Sequence, residues 1–456
     1  MPTLLLVINS REDEAHQSRF SKLKALSGWN VKVCPDTRVD TMSGLQLICH
    51  GLKIDSVVCS SQKVLQLILE GQYDYNRSDS RVQITLDDYA GSVLNLYPVG
   101  TSIFGRELVV VNPLQHLLTT PTGEFLFNRY ISKLTRKDSW YPQTNFQYEV
   151  LDVTNKERCE ELVNICRESD LIADDIETAI GDEQRRITVV GFCAYSKRTH
   201  STLSIVIPFN SSEAWGYAKK IAELPVRKVF QNGLYDCLYK ARWNCLPSHW
   251  FWDTQSLFHC WYSELPKRLD FVTSFSIRRI RFWKDDSSSG SLDDYYRYNA
   301  RDTWATVNAC LSLVHEMPDW AVTNYLQEFP LHFPAFQCNM EGLAMDMPLL
   351  LKVQAEKEAK SVEELARIKY VVNAPGFNPG SWQQVLALIY GLGIKGVKRT
   401  GKAEMLKIKA TSVFNDIVFT MITDYKENRK LLDTYFVEGK FWNDRLYYSL
   451  SSYRHW

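Results

Sequence analysis

Carboxylate side chains gather in one short apolar stretch, Leu171–Thr178, whose composition predicts a β-strand. Because side chains alternate between the two faces of a strand, Asp175 and Glu177 share one face and Asp174 lies on the other. Two neighbouring carboxylates on a buried strand repel each other and lose hydration. We therefore expect a divalent cation to neutralise them, although an Asp-x-Glu pair alone is more typical of solvated turns.

Two further polar motifs occur where side chains are brought to a common place. Asn232 and Asp236 follow an apolar strand-like run and open a predicted helix, and sites in open α/β sheets collect at such corners. Tyr298 and Asp302 are four residues apart in another predicted helix and share one of its faces. Taken singly, these residues are typical of a turn, a helix N-terminus, and a core tyrosine beside a surface acid.

The order and spacing of the three motifs carry more information than any one of them. Together they resemble the three motifs of the DEDD 3′–5′ exonucleases of the tyrosine subclass. The segment is similar to the proofreading domain of DNA polymerase I-type (family A) enzymes, and the resemblance implies an RNase H-like fold. The flanks agree, since Asp253-Thr254 begins a predicted helix before the third motif and Phe282–Asp285 directly precedes that motif.

The resemblance implies hydrolysis of a phosphodiester with two divalent metal ions, Mg²⁺ or Mn²⁺, bound by hard oxygen ligands. It places Asp175, Glu177 and Asp302 on the metal at the nucleophile side. Asp175 would also bridge to the second metal, where Asp236 would act through water.

The same resemblance assigns roles that do not involve direct metal binding. Tyr298 would hydrogen-bond the attacking water and orient it, rather than act as a strong base. Thr178 and Asn232 would help to hold the 3′-terminal nucleotide.

The last third of the sequence resembles the start of the polymerase region of the same family. Asn339–Asp346, Phe377–Val385 and Tyr425–Tyr435 are similar to segments at its beginning and in its thumb, a helical pair that grips duplex DNA through phosphates. A basic run in this region, opposed by Glu404, is expected to bind the DNA backbone, and a solvated helix face is the alternative. Its cationic residues are Lys395, Lys398, Arg399, Lys402, Lys407 and Lys409.

The motifs of the family's palm and fingers do not follow in the printed sequence. We therefore expect a polymerase region truncated before the palm, or a second polypeptide that carries the palm and fingers. Nucleotide polymerisation by this chain alone is not expected.

Changes in pattern suggest three segments. Residues 1–145 predict an α/β accessory domain in which Pro121–Phe127 is loosely similar to a stretch of uracil-DNA glycosylases, and we interpret it as a non-catalytic domain that docks DNA or a partner. Residues 146–325 predict an α/β exonuclease domain with an RNase H-like mixed sheet. Residues 326–456 predict a mostly helical, thumb-like region.

Composition limits the class of protein. The 456 residues include 53 Lys+Arg and 53 Asp+Glu, so the net charge is zero and any nucleic acid must be held by local basic patches. Eleven cysteines without Cys-x-x-Cys spacing argue against a disulfide scaffold and structural zinc. No apolar run approaches the roughly 18 residues of a spanning helix, which predicts no membrane contact. We expect a cytoplasmic protein, in a bacterial host if it is phage-encoded.

The sequence thus predicts a metal-dependent 3′–5′ exonuclease acting on single-stranded or frayed DNA 3′ ends, the proofreading portion of a family A polymerase bound to primer-template duplex. One alternative is an RNase D-like RNA 3′-end exonuclease, against which the thumb-like segments argue. The other is a non-catalytic DNA-clamping subunit of a split polymerase, against which the four acids and Tyr298 argue.

Overall fold

The computed structural model describes residues 1–9, 26–72, 85–96, 107–179, 186–284, 291–409, 411–436 and 441–447. These residues form two compact units, of which the first spans Met1–Phe333 and the second begins at Pro334. The sequence also predicts a loop at 285–290 and a strand-like stretch at 444–456, and all of the first and most of the second lie outside the described residues. The segment boundaries predicted at 145 and 325 stay predictions.

A mostly parallel sheet forms the beginning of the first unit. Its strands are β1 (Thr3–Ile8), β2 (Asn30–Pro35), β3 (Ser56–Ser60), β4 (Val93–Asn95) and β5 (Glu107–Val110). Within the described residues their order is β2-β1-β3-β5-β4, and only β4 runs antiparallel to its neighbour. The helices of this part are α1 (Met42–Gly51), α2 (Gln62–Gln72), α3 (Leu86–Tyr89), α4 (Leu114–Thr119) and α5 (Gly123–Thr135), with 3₁₀ turns at Asp36–Arg38 and Lys137–Ser139. We call this sheet with its helices the N-terminal layer.

In this sheet, the strands that the sequence predicts are those formed by buried apolar runs. The runs at Leu4–Ile8 and Ser56–Cys59 form β1 and β3, whose apolar side chains are buried. The strand β2 was not predicted, because it lies at the sheet edge and only Cys34 in it is fully buried.

A mixed sheet forms the rest of the first unit. In the part of the chain that is described, the order is β11-β10-β7-β8-β9-β6. The closely spaced apolar runs at 170–176, 187–195 and 202–208 predict three antiparallel neighbours, and β7, β8 and β9 confirm this, whereas β6, β10 and β11 each pair in parallel. The strands are β6 (Tyr148–Val150), β7 (Leu171–Thr178), β8 (Ile187–Ser196), β9 (Ser201–Pro208), β10 (Lys228–Phe230) and β11 (Trp250–Asp253).

Helices cover both faces of this mixed sheet. They are α6 (Lys156–Arg167), α7 (Ser212–Ala222), α8 (Gly233–Ala241), α9 (Thr254–Trp261), α10 (Leu269–Ser276), α11 (Leu292–Glu316) and α12 (Asp319–Glu328), followed by a 3₁₀ turn at Phe329–Leu331. On β7, Leu171 and Ala173 pack into the core that α9, α10 and α11 share. Ile172 and Ile176 pack into the opposite core, with α6 and α7. Because side chains alternate along a strand, Asp175 and Glu177 lie on the same face as Leu171 and Ala173, which is the face covered by α11.

Helices dominate the second unit. The elements from the unit boundary onwards are α13 (His332–Glu341), β12 (Leu343–Ala344), α14 (Met347–Val371), α15 (Trp382–Gly391), α16 (Lys402–Lys409), α17 (Val413–Tyr435), β13 (Phe441–Trp442) and β14 (Arg445–Leu446). An apolar core joins α14 to α17. Ser381 follows Pro379-Gly380 at the start of a helical pattern, which predicts an N-cap. This prediction is confirmed, since its Oγ accepts a hydrogen bond from Gln384 N. None of the helices among the described residues has the length and apolar character that crossing a bilayer requires.

A buried ion pair supports the mixed sheet on the face opposite Asp175. The side chains of Asp174 and Lys240 are both 0% exposed, and Lys240 Nζ lies 2.5 Å from Asp174 Oδ1. Lys240 extends from α8, so the pair ties this helix to β7. Removing one partner of such a pair leaves the other charge buried and uncompensated, which is strongly destabilising.

We predict that Lys240→Met destabilises the first unit by about 3–5 kcal/mol, because it leaves the Asp174 carboxylate buried without its partner. The measurement is urea-induced unfolding of the full chain. As the matched control, Asp174→Leu combined with Lys240→Met should recover most of the loss, since both charges are then removed. A single variant as stable as the parent protein would contradict the prediction.

Candidate active site

Three carboxylates converge where β7 meets α11. Asp175 and Glu177 come from the strand, and Asp302 comes from the helix that packs across its face. One oxygen of each carboxylate lies within 4.8 Å of the other two. Asp302 is buried, whereas Asp175 and Glu177 are half-buried. We call these three residues the acidic cluster.

The chemistry of the acidic cluster fits a hard divalent cation. All of its ligand atoms are carboxylate oxygens, which Mg²⁺ and Mn²⁺ prefer to sulfur or imidazole ligands. Lys284 supplies one positive charge against three negative ones, with its Nζ 2.6 Å from Asp302 Oδ2. The cluster therefore keeps an excess of negative charge that a metal ion would balance.

The pKa values of the acidic cluster reflect this crowding. Burial raises the pKa of Asp175 well above its usual range, and the negative charge of Asp236 raises it further. Burial and then the charge of Asp302 raise the pKa of Glu177 to about 8. The Lys284 ammonium opposes both shifts without cancelling them. Without a cation, the cluster therefore favours bound protons.

Asp236 lies next to this cluster on α8. The strand β10 pairs with β7 at Ile172 and Ala173. Ile176 lies three residues past the last of these pairs, so β10 does not bond its N–H. Asp236 Oδ1 accepts the hydrogen bond from Ile176 N at 3.0 Å. Burial, and after it the charge of Asp174, raises the pKa of Asp236 well above its usual range. The structure thus places the fourth predicted acid against the strand that carries Asp175, outside the group of three.

Another aspartate, Asp253, binds the backbone at the corner before α8. Asn232 is exposed and has a left-handed backbone, with φ of 64°. The N–H of Gly233 donates to Asp253 Oδ2 at 2.8 Å, while Asp253 Oδ1 accepts from Ser256 N and caps α9. The Asp253-Thr254 pair noted in the sequence thus begins α9 with a buried aspartate that also binds the backbone before α8.

Thr178, the other residue predicted to hold a nucleotide, ends β7. Its Oγ1 lies 3.0 Å from Tyr235 Oη on α8. Thr178 is half-buried and Asn232 is exposed, so both positions are open to a ligand. Their assignment to a nucleotide stays a prediction.

Tyr298 is linked to the acidic cluster through Lys284. Lys284 Nζ donates to Tyr298 Oη at 3.0 Å and to Asp302 Oδ2 at 2.6 Å. Burial and the neighbouring Asp302 charge raise the pKa of Tyr298 above its usual range. The phenol therefore keeps its proton, as expected of a group that orients water rather than one that removes a proton.

Three residues in this site were not predicted to act in it. Trp283 Nε1 donates to Asp302 Oδ1 at 2.6 Å, and Lys284 contacts the other oxygen of that carboxylate. Asn299 Nδ2 donates to Asp175 Oδ2 at 3.0 Å. Asn299 could have been found, because it precedes Asp302 by three residues and so shares a helix face with it. Trp283 and Lys284 lie outside regular structure, where no periodicity assigns a side-chain direction.

Gly191 makes room for Asn299. It is the residue of β8 that pairs with Asp175. A Cβ atom at this position would lie 2.1 Å from Asn299 Oδ1. A glycine opposite Asp175 is therefore needed for the amide to reach that carboxylate.

The predicted DNA-backbone residues belong to the second unit. Lys395, Lys398 and Arg399 are exposed and line a cavity of about 540 Å³, together with Lys407 and Glu404. The side chain of Lys402 lies outside what the structure describes. The role of this basic run stays a prediction.

Comparison with known proteins supports the fold. No protein-family profile and no curated protein sequence matches the chain. The POL domain of Pol1 from M. smegmatis, solved in complex with DNA primer-template and dNTP, is similar with a TM-score of 0.50 and 12% identity, over 66% of this chain and 52% of that chain. The Trypanosoma brucei RNase D, in complex with GMP, has a TM-score of 0.34 and 16% identity, over 42% of this chain and 64% of that chain.

The chain therefore spans about half the length of the polymerase structure. At this identity the likeness concerns the fold alone. The predicted fold class is confirmed: an RNase H-like mixed-sheet α/β domain, preceded by an α/β layer and followed by a mostly helical region.

The raised pKa of Glu177 predicts how the metal-free protein responds to pH. The pKa of this carboxyl is about 8 in the folded chain and 4.5 ordinarily. Between these two pH values the folded chain therefore binds more protons than the unfolded chain does. Stability in EDTA should therefore fall as the pH rises from 4.5 through 8. At pH 8, saturating Mg²⁺ should raise the Tm by roughly 5 °C, and the gain should shrink at pH 6, where protons compete. Thermal unfolding measures both effects.

The control for this prediction is the double variant Asp175→Asn, Glu177→Gln, which removes both titrating groups. It should lessen the pH dependence, of which Asp236 keeps a part, and lose the response to Mg²⁺. A wild-type Tm that rises between pH 5 and 8 in EDTA would contradict the assigned direction.

Proposed function

We propose that this protein is a metal-dependent 3′–5′ exonuclease that removes nucleotides from single-stranded or frayed DNA 3′ ends. The observation that carries the proposal is the convergence of Asp175, Glu177 and Asp302, whose oxygens lie within 4.8 Å of one another. It is supported by the position of Tyr298, which shares Lys284 with Asp302.

The acidic residues would hold the metal ions. Asp175, Glu177 and Asp302 would bind the first ion, and Asp175, with Asp236 through water, the second. A bound pair of divalent ions would supply a nucleophilic hydroxide and stabilise the leaving 3′ oxygen. Oxygen-only ligands favour Mg²⁺ or Mn²⁺ for this task.

The remaining residues of the site hold these groups in place. Trp283 and Lys284 each donate to one oxygen of Asp302, which fixes the plane of that carboxylate. Asn299 fixes Asp175 in the same way through one oxygen. Such outer hydrogen bonds orient metal ligands and tune their basicity.

Tyr298 would orient the attacking water. Its Oη accepts a hydrogen bond from Lys284 Nζ, so its own hydrogen stays available for donation. Since its raised pKa keeps the phenol neutral, it acts by position. Thr178 and Asn232, at the end of β7 and at the corner before α8, would contact the 3′-terminal nucleotide.

The wider role that we propose is proofreading in DNA replication. The polymerase fold of the Pol1 neighbour, which was solved with DNA primer-template, supports it. Lys395, Lys398, Arg399 and Lys402 would contact phosphates of the primer-template duplex. We propose the cytoplasm as the compartment, that of a bacterial host if the protein is phage-encoded.

We predict that Asp175→Ala lowers exonuclease activity about 100-fold or more, because it removes a ligand proposed to bind both metal ions. The assay follows a 5′-labelled DNA primer with a frayed 3′ end, with Mg²⁺ or with EDTA. The wild type should give a ladder that shortens from the 3′ end and disappears in EDTA. An RNA primer of the same sequence tests the preferred sugar.

The matched control is Glu157→Ala, which removes an acidic side chain from the first turn of α6 and should leave the ladder unchanged. No cleavage by the wild type with either metal would overturn the proposed activity. Cleavage of RNA with little cleavage of DNA would overturn the proposed substrate.

A further prediction separates orientation of water from metal binding. Tyr298→Phe keeps the ring but removes the hydroxyl, so the turnover rate should fall about 100-fold through loss of positioning. Mn²⁺ affinity, measured by calorimetry, should change less than about 2-fold, because Tyr298 is not a proposed ligand. A parallel loss of Mn²⁺ affinity would instead show that the hydroxyl supports the metal site.

A further inference from the structure

An irregular segment, Ile277–Lys284, follows α10 and contacts both the N-terminal layer and the acidic cluster. Its backbone is joined to the layer at two points. Val93 N donates to Ile280 O at 2.8 Å, and Phe282 N donates to Ser92 Oγ at 2.9 Å. The segment therefore runs along the edge of the layer rather than free over the surface.

Two successive side chains of this segment enter different cores. Phe282 is buried in the core of the N-terminal layer, with its ring centroid 5.1 Å from that of Tyr89. Trp283 is buried in the core beneath the mixed sheet. Because the two residues are adjacent in the chain, a shift of the backbone at Phe282 also moves Trp283.

Ionic contacts reinforce the attachment at the start of the segment. The Glu107 side chain is 8% exposed and lies 2.6 Å from Arg278 and 2.7 Å from Arg279. Arg278 Nε also donates to Lys133 O at 2.9 Å. Lys137 Nζ is a further partner of Glu107, at 2.7 Å. One buried carboxylate of β5 thus holds two consecutive arginines of the segment.

The element before the segment is fixed to the same layer. Lys133 is fully buried, and its Nζ donates to Gly91 O at 2.6 Å and to Ser274 O at 2.5 Å. Gly91 has a φ of +83°, and a Cβ there would lie 2.6 Å from the Tyr130 ring. The same Cβ would lie 3.0 Å from Ser274 O, so a glycine at this position suits the close approach of the layer to α10.

The other end of the segment delivers both partners of Asp302. Trp283 Nε1 and Lys284 Nζ donate to Oδ1 and Oδ2 of this carboxylate, each at 2.6 Å. We infer that the N-terminal layer is a positioning device for the acidic cluster, which holds Phe282 and thereby sets Trp283 and Lys284 against Asp302. The inference rests on the proposed function in treating Asp302 as a metal ligand.

The decisive test follows the indole hydrogen of Trp283 in full-length protein labelled with ¹⁵N at tryptophan. Its resonance is assigned by its loss in Trp283→Phe. In Phe282→Ala, exchange of this hydrogen with solvent should accelerate about 10-fold or more, because the hydrogen bond to Asp302 opens more often. Leu162→Ala is the matched control, since Leu162 is also buried in the first unit but lies on α6, in the core on the other side of the mixed sheet. It should lower the stability of the same unit and change the exchange rate less than about 2-fold.

Metal affinity provides a second readout. Phe282→Ala should weaken Mn²⁺ binding about 10-fold, the size of effect that loss of an outer partner has on a metal site. Phe282→Leu should restore most of the affinity by refilling the pocket. In a Trp283→Phe background, Phe282→Ala should cause a smaller loss than in the wild type, because one of the two hydrogen bonds through which it acts is already absent.

The tests separate this inference from the proposed function. Unchanged indole exchange in Phe282→Ala, or equal acceleration in Leu162→Ala, would overturn the positioning role. If Phe282→Ala does not fold, Arg278→Met cuts the tie to Glu107 instead and should accelerate the same exchange. A wild type that binds no Mn²⁺ or degrades no DNA would overturn the proposed function, while indole exchange would still decide this inference.

Discussion

Negative charge crowded at the end of β7 is the constraint on which the rest of the site depends. One oxygen each of Asp175, Glu177 and Asp302 lies within 4.8 Å of the other two, close enough to bind one cation, and the charge of Asp236 adds to the field at Asp175. In a partly dry environment such repulsion would push the carboxylates apart unless packing held them. The helix α11, which packs across the sheet, provides this restraint.

The two faces of β7 deal with charge in different ways. Asp174 faces Lys240 at 2.5 Å in a fully buried pair that is complete without a ligand. On the other face, Lys284 lies against Asp302 and leaves Asp175 and Glu177 with raised pKa values. One lysine matches one acid on the first face, whereas on the second face one lysine lies against a cluster of three carboxylates. That asymmetry supports a metal site more strongly than the number of acids does.

Local periodicity explains which parts of the site could be predicted from the sequence. The period of two along a strand placed Asp175 and Glu177 together, and the helical period placed Tyr298 beside Asp302. The central antiparallel strands also followed from their apolar runs, whereas the short strands β6 and β11 gave no comparable pattern. Periodicity applies within one helix or strand, so it does not predict residue pairs that tertiary packing brings together. The bond between Lys240 and Asp174 spans 66 residues, and the one between Arg278 and Glu107 spans 171.

Long-range contacts of this kind also give the N-terminal layer a structural role at the acidic cluster. A segment without catalytic residues is usually interpreted as a docking module that could be removed without altering the chemistry. Here the layer holds Phe282 in its core, and the next residue holds Asp302 through its indole N–H. A metal ligand is oriented only as well as the groups that bond to it, and Asp302 receives both of its oxygen contacts from this one segment. The layer is therefore part of the structure that defines the acidic cluster, although none of its own side chains belongs to it.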